Sequence, residues 1–295
     1  MVIGVIPPNA SCAFLGNDLN IQRQNVDNVT FVDNIPEDVY DIATNTYKVD
    51  TVWDVSAQGD NSILAWYEPS ANGTYKVYIG SNDEIFGNVD SSSLFRYIGY
   101  SENCTSTGMI TNLDLLNTSN VTDMRLMFYF TGYTAMTSLD LGDKFDTSNV
   151  TDMRDMFYRT GYTAMTSLDL GDKFSTSKVT NMRDMFYQTG NTAMTSLDLA
   201  ENFDTSSVTN MSDMFAFTGR EAMTSLDLGD NFDTSNVTNM GSMFAFTGRE
   251  AMTNLDLGDK FDTSNVTDMS HMFDSTGYTA MTSLDLGENF DTSNV

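Results

Sequence analysis

The sequence contains few cysteines, prolines, histidines and basic residues. It has two cysteines, four prolines and one histidine, and only 14 lysines and arginines stand against 41 aspartates and glutamates. The formal net charge of -27 repels nucleic acids and anionic lipid surfaces. No apolar run approaches the roughly 18 residues of a membrane span. We therefore expect neither a nucleic-acid partner nor insertion into a membrane.

These shortages also weigh against catalysis. Cys12 and Cys104 are too far apart in sequence for a zinc-ligand pair and form no disulfide framework, so they do not indicate a compartment. The lone His271 replaces residues such as Asp155 at a surface position. Carboxylates are plentiful, but nothing marks out a pair tuned to different pKa values. We predict that the protein is not an enzyme and needs no cofactor.

The clearest positive signal is a repeat of 29 residues, called a rung below. A fixed period of this length predicts a solenoid. A shorter copy begins at Leu113. The segment Leu-Asp-Leu recurs with its first leucine at Leu139, Leu168, Leu197, Leu226, Leu255 and Leu284.

Each rung is predicted to hold one short strand. The pattern Met165-x-x-Leu168-x-Leu170 matches the core of a leucine-rich repeat, with methionine in place of the first leucine. Gly171 follows as a turn residue, and Phe174 is expected to point inward. The fold class predicted is therefore α/β, a leucine-rich-repeat-type solenoid with one parallel strand and one short helix per rung.

The helix is predicted after the Ser/Thr/Asn/Asp cluster, with Asn149 as its N-cap and Asp152 near its positive end. At 100° per residue, four apolar residues fall within about 120° of arc, which indicates one buried stripe. They are Val150, Met153, Met156 and Phe157.

Eighteen of the 20 methionines fall at three rung positions, represented by Met153, Met156 and Met165. The pattern assigns all three positions to the interior, where methionine fills gaps. We therefore interpret them as core residues rather than metal ligands.

Three regions are predicted along the chain. Residues 1–50 are polar and irregular, residues 51–108 are rich in strands, and residues 109–295 form the solenoid. The middle region contains a hairpin across Asn72-Gly73. It is either a cap for the first rung or a separate ligand-binding module.

At the other end, the sequence stops at Phe290-Asp-Thr-Ser-Asn-Val295, the beginning of another predicted helix. No capping segment follows. The expectations are that further repeats continue the chain or that a partner covers the rung, self-association included.

Two motifs resemble the BspA-like leucine-rich-repeat surface proteins of bacteria. They are Phe145-Asp-Thr-Ser-Asn-Val-Thr-Asp-Met-Arg-Asp-Met-Phe157 and Met165-Thr-Ser-Leu-Asp-Leu170, and the likeness extends over residues 51–295. The resemblance implies a bacterial cell-surface protein, some members being adhesins for host or matrix proteins. The rungs here are longer than usual, and the N-terminus lacks the apolar run and basic flank of a signal peptide. Similar repeats occur in phage and viral structural proteins.

The first candidate binding surface is a row of aspartates, each between two inward leucines, called the aspartate ladder. Like charges about 5 Å apart repel, so solvent, neighbouring serines, a basic protein or glycan, or calcium should relieve them. Calcium needs six to eight converging oxygens, which a linear row does not establish. The ladder comprises Asp140, Asp169, Asp198, Asp227, Asp256 and Asp285.

The second candidate is a loop position that varies while its neighbours do not. Exposed Tyr and Arg are favoured at binding hot spots, although surface drift explains the variation equally well. The position holds Tyr133, Tyr162, Asn191, Arg220, Arg249 and Tyr278.

The sequence thus predicts a non-enzymatic adhesion or binding protein on the cell surface, with a protein or glycan partner on another cell or surface. The alternative is a structural or receptor-binding protein of a virion, phage or extracellular filament.

Overall fold

A computed structural model describes residues 1–3, 21–70, 73–100, 106–199 and 201–295. Cys12, Cys104 and Asn72 lie outside the described residues, and so does most of the first 20 residues. The described part consists mostly of strands and turns, arranged as an open stack of repeats with no closed barrel.

A five-stranded sheet precedes the repeats. Its strands follow the spatial order β4-β5-β6-β1-β8. β5 and β6 form the antiparallel pair that the predicted hairpin requires, whereas β1 runs parallel to both β6 and β8. The fourth strand of the sheet, β1, thus comes from residues 1–50. The polar composition of that segment predicts irregular structure, but β1 is a regular strand. The strands are β1 (Val26–Val32), β4 (Val52–Asp54), β5 (Leu64–Pro69), β6 (Tyr75–Gly80) and β8 (Met109–Thr111).

Two smaller strand pairs flank this sheet. One is antiparallel and joins β2 (Tyr40–Asp41) to β3 (Thr46–Tyr47). The other is parallel and joins β7 (Ile85–Phe86) to β9 (Leu116–Asn117).

The solenoid contributes one three-residue strand per rung. The strands pair in parallel and in register as β10 with β11, β12 with β13, and β14 with β15, so that serine or asparagine, leucine and aspartate each face their counterparts. This confirms the predicted strand. The strands are β10 (Ser138–Asp140), β11 (Ser167–Asp169), β12 (Ser196–Asp198), β13 (Ser225–Asp227), β14 (Asn254–Asp256) and β15 (Ser283–Asp285).

The predicted helix of each rung is wrong, because the segment is a series of turns. Asp155 and Arg159 have left-handed backbone conformations, with φ of 57° and 55°, which end a right-handed helix. Their N–H groups donate to the next rung, to the carbonyl oxygens of Arg183 and Tyr187 at 3.0 and 2.8 Å. Tyr158 between them donates within its own rung, to Asp155 O. Within the described ranges the helical segments are two 3₁₀ turns, Arg23–Asn25 and Leu113–Leu115.

The roles predicted at the helix start are also wrong. Asn149 is not an N-cap, because its side-chain amide donates to Ser119 O in the preceding rung at 2.8 Å. Asp152 accepts the Arg154 backbone N–H at 3.1 Å, which closes a local turn. Both side chains therefore hold turns and rungs together.

Stack spacing explains why turns replace helices. Packed α-helices need about 8–10 Å between axes, but the buried rings of Phe157 and Phe186 in neighbouring rungs are 5.4 Å apart. Helices cannot stack at the separation of hydrogen-bonded strands. Turns can stack at that separation, because alternate backbone N–H groups donate to carbonyl oxygens of the next rung.

The predicted buried stripe is nevertheless correct. Val150, Met153, Met156 and Phe157 are all 0% exposed, and the methionines at the same positions in the other rungs are buried too, except for the half-buried Met269 and Met281 near the C-terminal end. Phe174 is also buried, as predicted. One apolar cluster runs from Ile3 in the N-terminal region to Met272 in the last rungs, so the five-stranded sheet and the solenoid share a core.

Buried threonines connect the rungs, and one yields a stability prediction. Thr189 is 0% exposed, and its hydroxyl donates to Phe157 O in the preceding rung at 2.6 Å. We expect Thr189→Val, which keeps the shape and removes the hydroxyl, to lower the free energy of unfolding by about 1–2 kcal/mol. Urea titration monitored by circular dichroism measures this change.

The control is Thr209→Val, because the Thr209 hydroxyl makes a 3.1 Å bond to Thr180 O in an exposed setting. Water replaces such a bond, so this variant should stay within about 0.5 kcal/mol of wild type. Equal losses in both variants would contradict a special role for the buried threonines.

Candidate functional site

The aspartate ladder lies on the exposed face of the solenoid strands, as the alternation predicts. Leu139 and Leu141 are buried at 1% and 0% exposure, and Asp140 between them is exposed. β11 to β14 repeat this arrangement, whereas Leu284 in the last strand, β15, is 38% exposed; paired strands are in register. The ladder aspartates are therefore exposed on the surface, and a serine or asparagine lies two residues before each of them.

The ladder aspartates also have a structural task that the sequence does not reveal. One carboxylate oxygen of Asp140 accepts the Gly142 N–H at 2.8 Å, and Asp169 accepts that of Gly171 at 3.0 Å. The same bond recurs at Asp227, Asp256 and Asp285. Turn amides thus relieve part of the repulsion, and the need to close this turn is enough to explain an aspartate at each of these positions.

The strand face holds a shallow pocket of about 390 Å³, at the junction where β13 and β14 are not paired. Asp227 and Asp256 line it together with glycine and leucine residues of both rungs. Among the described residues, no group of three or more His, Cys, Asp or Glu side chains is arranged to hold a metal ion.

The variable loop positions form a column of side chains along the solenoid. Tyr133 and Tyr162 stack with ring centroids 4.8 Å apart. Asn191 is buried and donates to Phe217 O at 2.9 Å, which is a structural contact. In the later rungs, the guanidinium of Arg249 lies 5.0 Å from the ring centre of Tyr278. Arg220 pairs with its neighbour Glu221 at 3.7 Å.

The structure brings a second aromatic column beside this one, which sequence reasoning missed. Tyr129, Tyr158 and Tyr187 stack on successive rungs at 4.8 and 4.7 Å. This position also varies between rungs, since Ala216 and Ala245 occupy it in the two rungs that follow Tyr187. Comparing this position between rungs in the sequence would have identified the column.

The two columns and the aromatic residues before them make one connected surface, called the aromatic surface below. Ring contacts link all of its members, directly or through one another, and Phe130 joins the two columns by its contacts with Tyr100 and Tyr133. It includes seven of the 13 tyrosines in the chain. Its members are Tyr97, Tyr100, Tyr129, Phe130, Tyr133, Tyr158, Tyr162 and Tyr187.

Two arginines of this surface lack a carboxylate partner within the described part of the chain. Arg96 faces the rings of Tyr97 and Tyr129 at 4.7 and 4.9 Å. Arg159 faces Phe130 at 5.1 Å. The Nε atoms of both are buried without a hydrogen-bond partner. Acidic residues are in large excess in this chain, yet these two guanidinium groups lie against aromatic rings and form no salt bridge with a carboxylate of the described residues.

The hydroxyls of Tyr129, Tyr158 and Tyr187 on this surface remain neutral donors at physiological pH. Burial raises the pKa of Tyr158 to about 12 and also raises the pKa values of Tyr129 and Tyr187. None of these three hydroxyls bonds to another described residue. They are therefore available to acceptors on a partner.

The aromatic surface has a pocket at its N-terminal end, with a volume of about 310 Å³. Tyr97, Tyr100, Tyr129 and Phe130 line it together with Arg23 and Gln24. Here the rings meet at steep angles, 80° between Tyr100 and Phe130 and 85° between Tyr97 and Tyr129. Further along the solenoid the rings stack nearly parallel and cover each other's faces. Around the pocket, Arg96 lies over the rings of Tyr97 and Tyr129, and Arg159 lies over the ring of Phe130, so each of these rings has a covered face too.

A row of carboxylates runs on the same side of the solenoid. Burial, followed by the charges of Asp155 and Asp213, raises the pKa of Asp184 to about 6. Burial likewise raises the pKa values of Asp155 and Asp213 themselves. None of the three lines either pocket described above. All three lie in left-handed turns, where Asp184 is buried and Asp155 and Asp213 are half-buried.

In the described ranges, no helix has the length and apolar character needed to cross a membrane. No curated protein and no solved structure matches the chain. A family model described as "Mycoplasma protein of unknown function, DUF285" matches it twice, at residues 99–215 and 190–295. Both matches fall on the repeats, and together they cover well over half of the 295 residues. The chain therefore belongs to the DUF285 family.

Proposed function

We propose that the protein is a non-enzymatic, surface-exposed binding protein that recognises a protein partner through the aromatic surface of its solenoid. The observation that carries the proposal is the clustering of seven tyrosines and two arginines without carboxylate partners on one side of a chain of net charge -27. Tyrosine and arginine are enriched at the energetic centres of interfaces, whereas aspartate, glutamate and lysine are depleted.

The arrangement of the rings favours a protein partner over a glycan. Sugars bind aromatic residues by lying on ring faces, but Tyr129, Tyr158 and Tyr187 cover one another's faces by stacking. What these residues offer is ring edges and hydroxyl groups, which suit the carbonyl groups of a polypeptide. The extracellular location and the adhesin role implied by the BspA-like motifs are part of this proposal, and the virion or filament role stays an alternative prediction.

The test is a binding screen with immobilised extracellular-matrix proteins and glycans, read by surface plasmon resonance. We expect a protein ligand, and we expect Tyr158→Ala to weaken its binding by roughly 30-fold, as loss of a hot-spot side chain does. Alanine already occupies the equivalent position in two later rungs, as Ala216 and Ala245, so the variant is compatible with the fold.

The matched control is Asp227→Asn on the strand face, which should change the affinity less than twofold. If Asp227→Asn abolishes binding and Tyr158→Ala does not, the binding site is the aspartate ladder. Binding to glycans alone would contradict the choice of a protein partner.

A further inference from the structure

We propose that the guanidinium groups of Arg96 and Arg159 bind carboxylate side chains of the partner protein. The aromatic surface then recognises a segment that carries aspartate or glutamate among uncharged residues. The inference rests on the proposed function and specifies the chemistry of the partner.

The other arginines of the chain all have partners of their own. Arg23 donates to three backbone carbonyl oxygens, each at 2.9 Å. Arg96 and Arg159 form no salt bridge with a carboxylate of the described residues, although the chain has 41 aspartates and glutamates. Two arginines left unpaired on one surface, in such an excess of acid, are available to a carboxylate from another molecule. The five arginines that pair with an acidic residue are Arg125, Arg154, Arg183, Arg220 and Arg249.

Both guanidinium groups lie close to Tyr129. Arg96 lies over the Tyr129 ring at 4.9 Å, and Arg159 lies over the rings of Phe130 and Tyr158 at 5.1 and 5.7 Å. Phe130 and Tyr158 in turn contact Tyr129, with ring centroids 4.7 and 4.8 Å apart. Burial raises the pKa of Tyr129, and the charges of Arg96 and Arg159 both oppose that rise. The two cations therefore act on the same ring and belong to one site.

The two guanidinium groups have hydrogen-bond donors that the protein does not use. Nε of each is buried without an acceptor, whereas both terminal nitrogens of Arg159 reach solvent and bond to none of the described residues. One terminal nitrogen of Arg96 donates to the Tyr97 hydroxyl at 3.1 Å, and the other is unused by the described residues. Because these groups cover ring faces, a partner meets N–H donors there rather than open rings. Carboxylates form stronger hydrogen bonds with guanidinium groups than neutral acceptors do.

The charge of the chain limits how acidic this ligand is. A net charge of -27 repels polyanions such as nucleic acids and heavily sulfated glycans. In physiological salt, however, exposed charges more than about 8 Å apart are largely screened from one another, while a contact between ions is not. Asp155 is close enough for Arg96 to oppose the rise in its pKa that burial causes, but it is half-buried in its own turn and does not pair with that guanidinium. A segment with isolated carboxylates therefore suits the site better than a long acidic run.

The experiment measures fluorescence anisotropy of a rhodamine-labelled peptide titrated with the full chain in physiological salt. The peptide has nine residues, two glutamates in a glycine-serine background, and blocked ends. Comparison peptides carry two glutamines or two lysines in place of the glutamates. Protein concentrations extend to about 1 mM, because short flexible peptides bind weakly. We expect saturable binding of the glutamate peptide, at least about tenfold tighter than that of the glutamine peptide.

Arg159→Gln should weaken binding of the glutamate peptide by at least about tenfold, because it removes one of the two cations. Gln188 occupies the same position in the next rung, so the variant is compatible with the fold. Arg159→Lys keeps the charge but loses the planar set of N–H donors, and it should give an intermediate loss.

The matched control is Arg154→Gln. It removes the same charge from the same rung, but Arg154 is already paired with Asp152 at 2.8 Å. This variant should change the affinity by less than about twofold, as expected for an exposed ion pair away from the site. Circular dichroism of every variant checks that the fold is retained.

Equal affinity for the glutamate and glutamine peptides would overturn the proposal, as would absence of binding by the glutamate peptide. Equal losses in Arg159→Gln and Arg154→Gln would overturn it too, because only the net charge would then matter. Tighter binding of the lysine peptide would also overturn it and would identify the acidic strand face as the binding site.

Failure of this proposal is distinguishable from failure of the proposed function. If the glutamate peptide does not bind while Tyr158→Ala still weakens binding to an identified matrix protein, the ligand chemistry is wrong and the surface is right. If neither measurement depends on the aromatic surface, both proposals are wrong.

Discussion

Gly219→Ala is expected to destabilise the solenoid by about 2–5 kcal/mol. Gly219 has φ of 51°, and a Cβ atom added there would lie 2.5 Å from Cβ of Met223 and 3.2 Å from the carbonyl oxygen of Met194. The left-handed conformation costs an alanine about 1–2 kcal/mol. The clash adds about 1–3 kcal/mol, because neither a Cβ atom nor a backbone oxygen can move away without shifting a rung.

The matched control is Gly258→Ala, which separates the backbone cost from the clash. Gly258 also has positive φ, at 79°, but a Cβ atom there meets nothing within 4 Å. This variant should therefore lose only about 1–2 kcal/mol. Urea titrations of both variants give the comparison, and equal losses would show that the close approach of Gly219 and Met223 is not limiting.

The sequence alone predicts which side chains are buried. The 29-residue period places Leu168, Met165 and Phe157 inside, and all three are buried in the structure. The reason is that burial depends on the repeating order of apolar and polar residues, which stacking of rungs enforces. The strand and its register follow from the same order.

The backbone conformation of the turn segment could not be predicted in this way. Val150, Met153, Met156 and Phe157 are buried in a helix and in a stack of turns alike, so the angular test does not distinguish the two. The distinction depends on hydrogen bonds between rungs, such as that from Asp155 N to Arg183 O, which are 28 residues apart. Left-handed conformations at Asp155 and Arg159 follow from those bonds rather than from local propensity.

The candidate site was predictable in part. Variation at the position of Tyr133 and Tyr162 marked the side of the solenoid that carries the aromatic surface, and the two rings stack. The column of Tyr129 and Tyr158 was missed because only the structure shows that residues four positions apart in each rung lie side by side. The aspartate ladder was correctly placed on the surface, but its bonds to turn amides, such as Gly142 N to Asp140, depend on turn geometry.

Asp184 should make the solenoid more stable in mild acid than at neutral pH. Its pKa is raised from 3.8 to about 6, chiefly by burial and then by the charges of Asp155 and Asp213, and Arg183 offsets only part of this. Below pH 3.8 the carboxyl group is protonated in both the folded and the unfolded state, so it costs nothing. Between pH 3.8 and about 6 the folded state holds the proton more tightly, so stability falls as pH rises. Above about pH 6 the full penalty applies, about 3 kcal/mol at roughly 1.4 kcal/mol per pKa unit.

Asp184→Asn should therefore raise the free energy of unfolding by about 2–3 kcal/mol at pH 7.5 and by much less at pH 4. Asparagine tolerates the left-handed conformation at this position, where φ is 56°, and its side-chain oxygen can still accept the 2.9 Å bond from Arg183 Nε. The control is Asp268→Asn, because hydrogen bonds from Ser270 lower the pKa of Asp268 and its charge is favourable in the folded state. That variant should gain nothing at pH 7.5. Urea titrations at both pH values measure the four differences, and a gain for Asp184→Asn that is the same at pH 4 and pH 7.5 would mean that ionisation of the buried carboxyl group is not its cause.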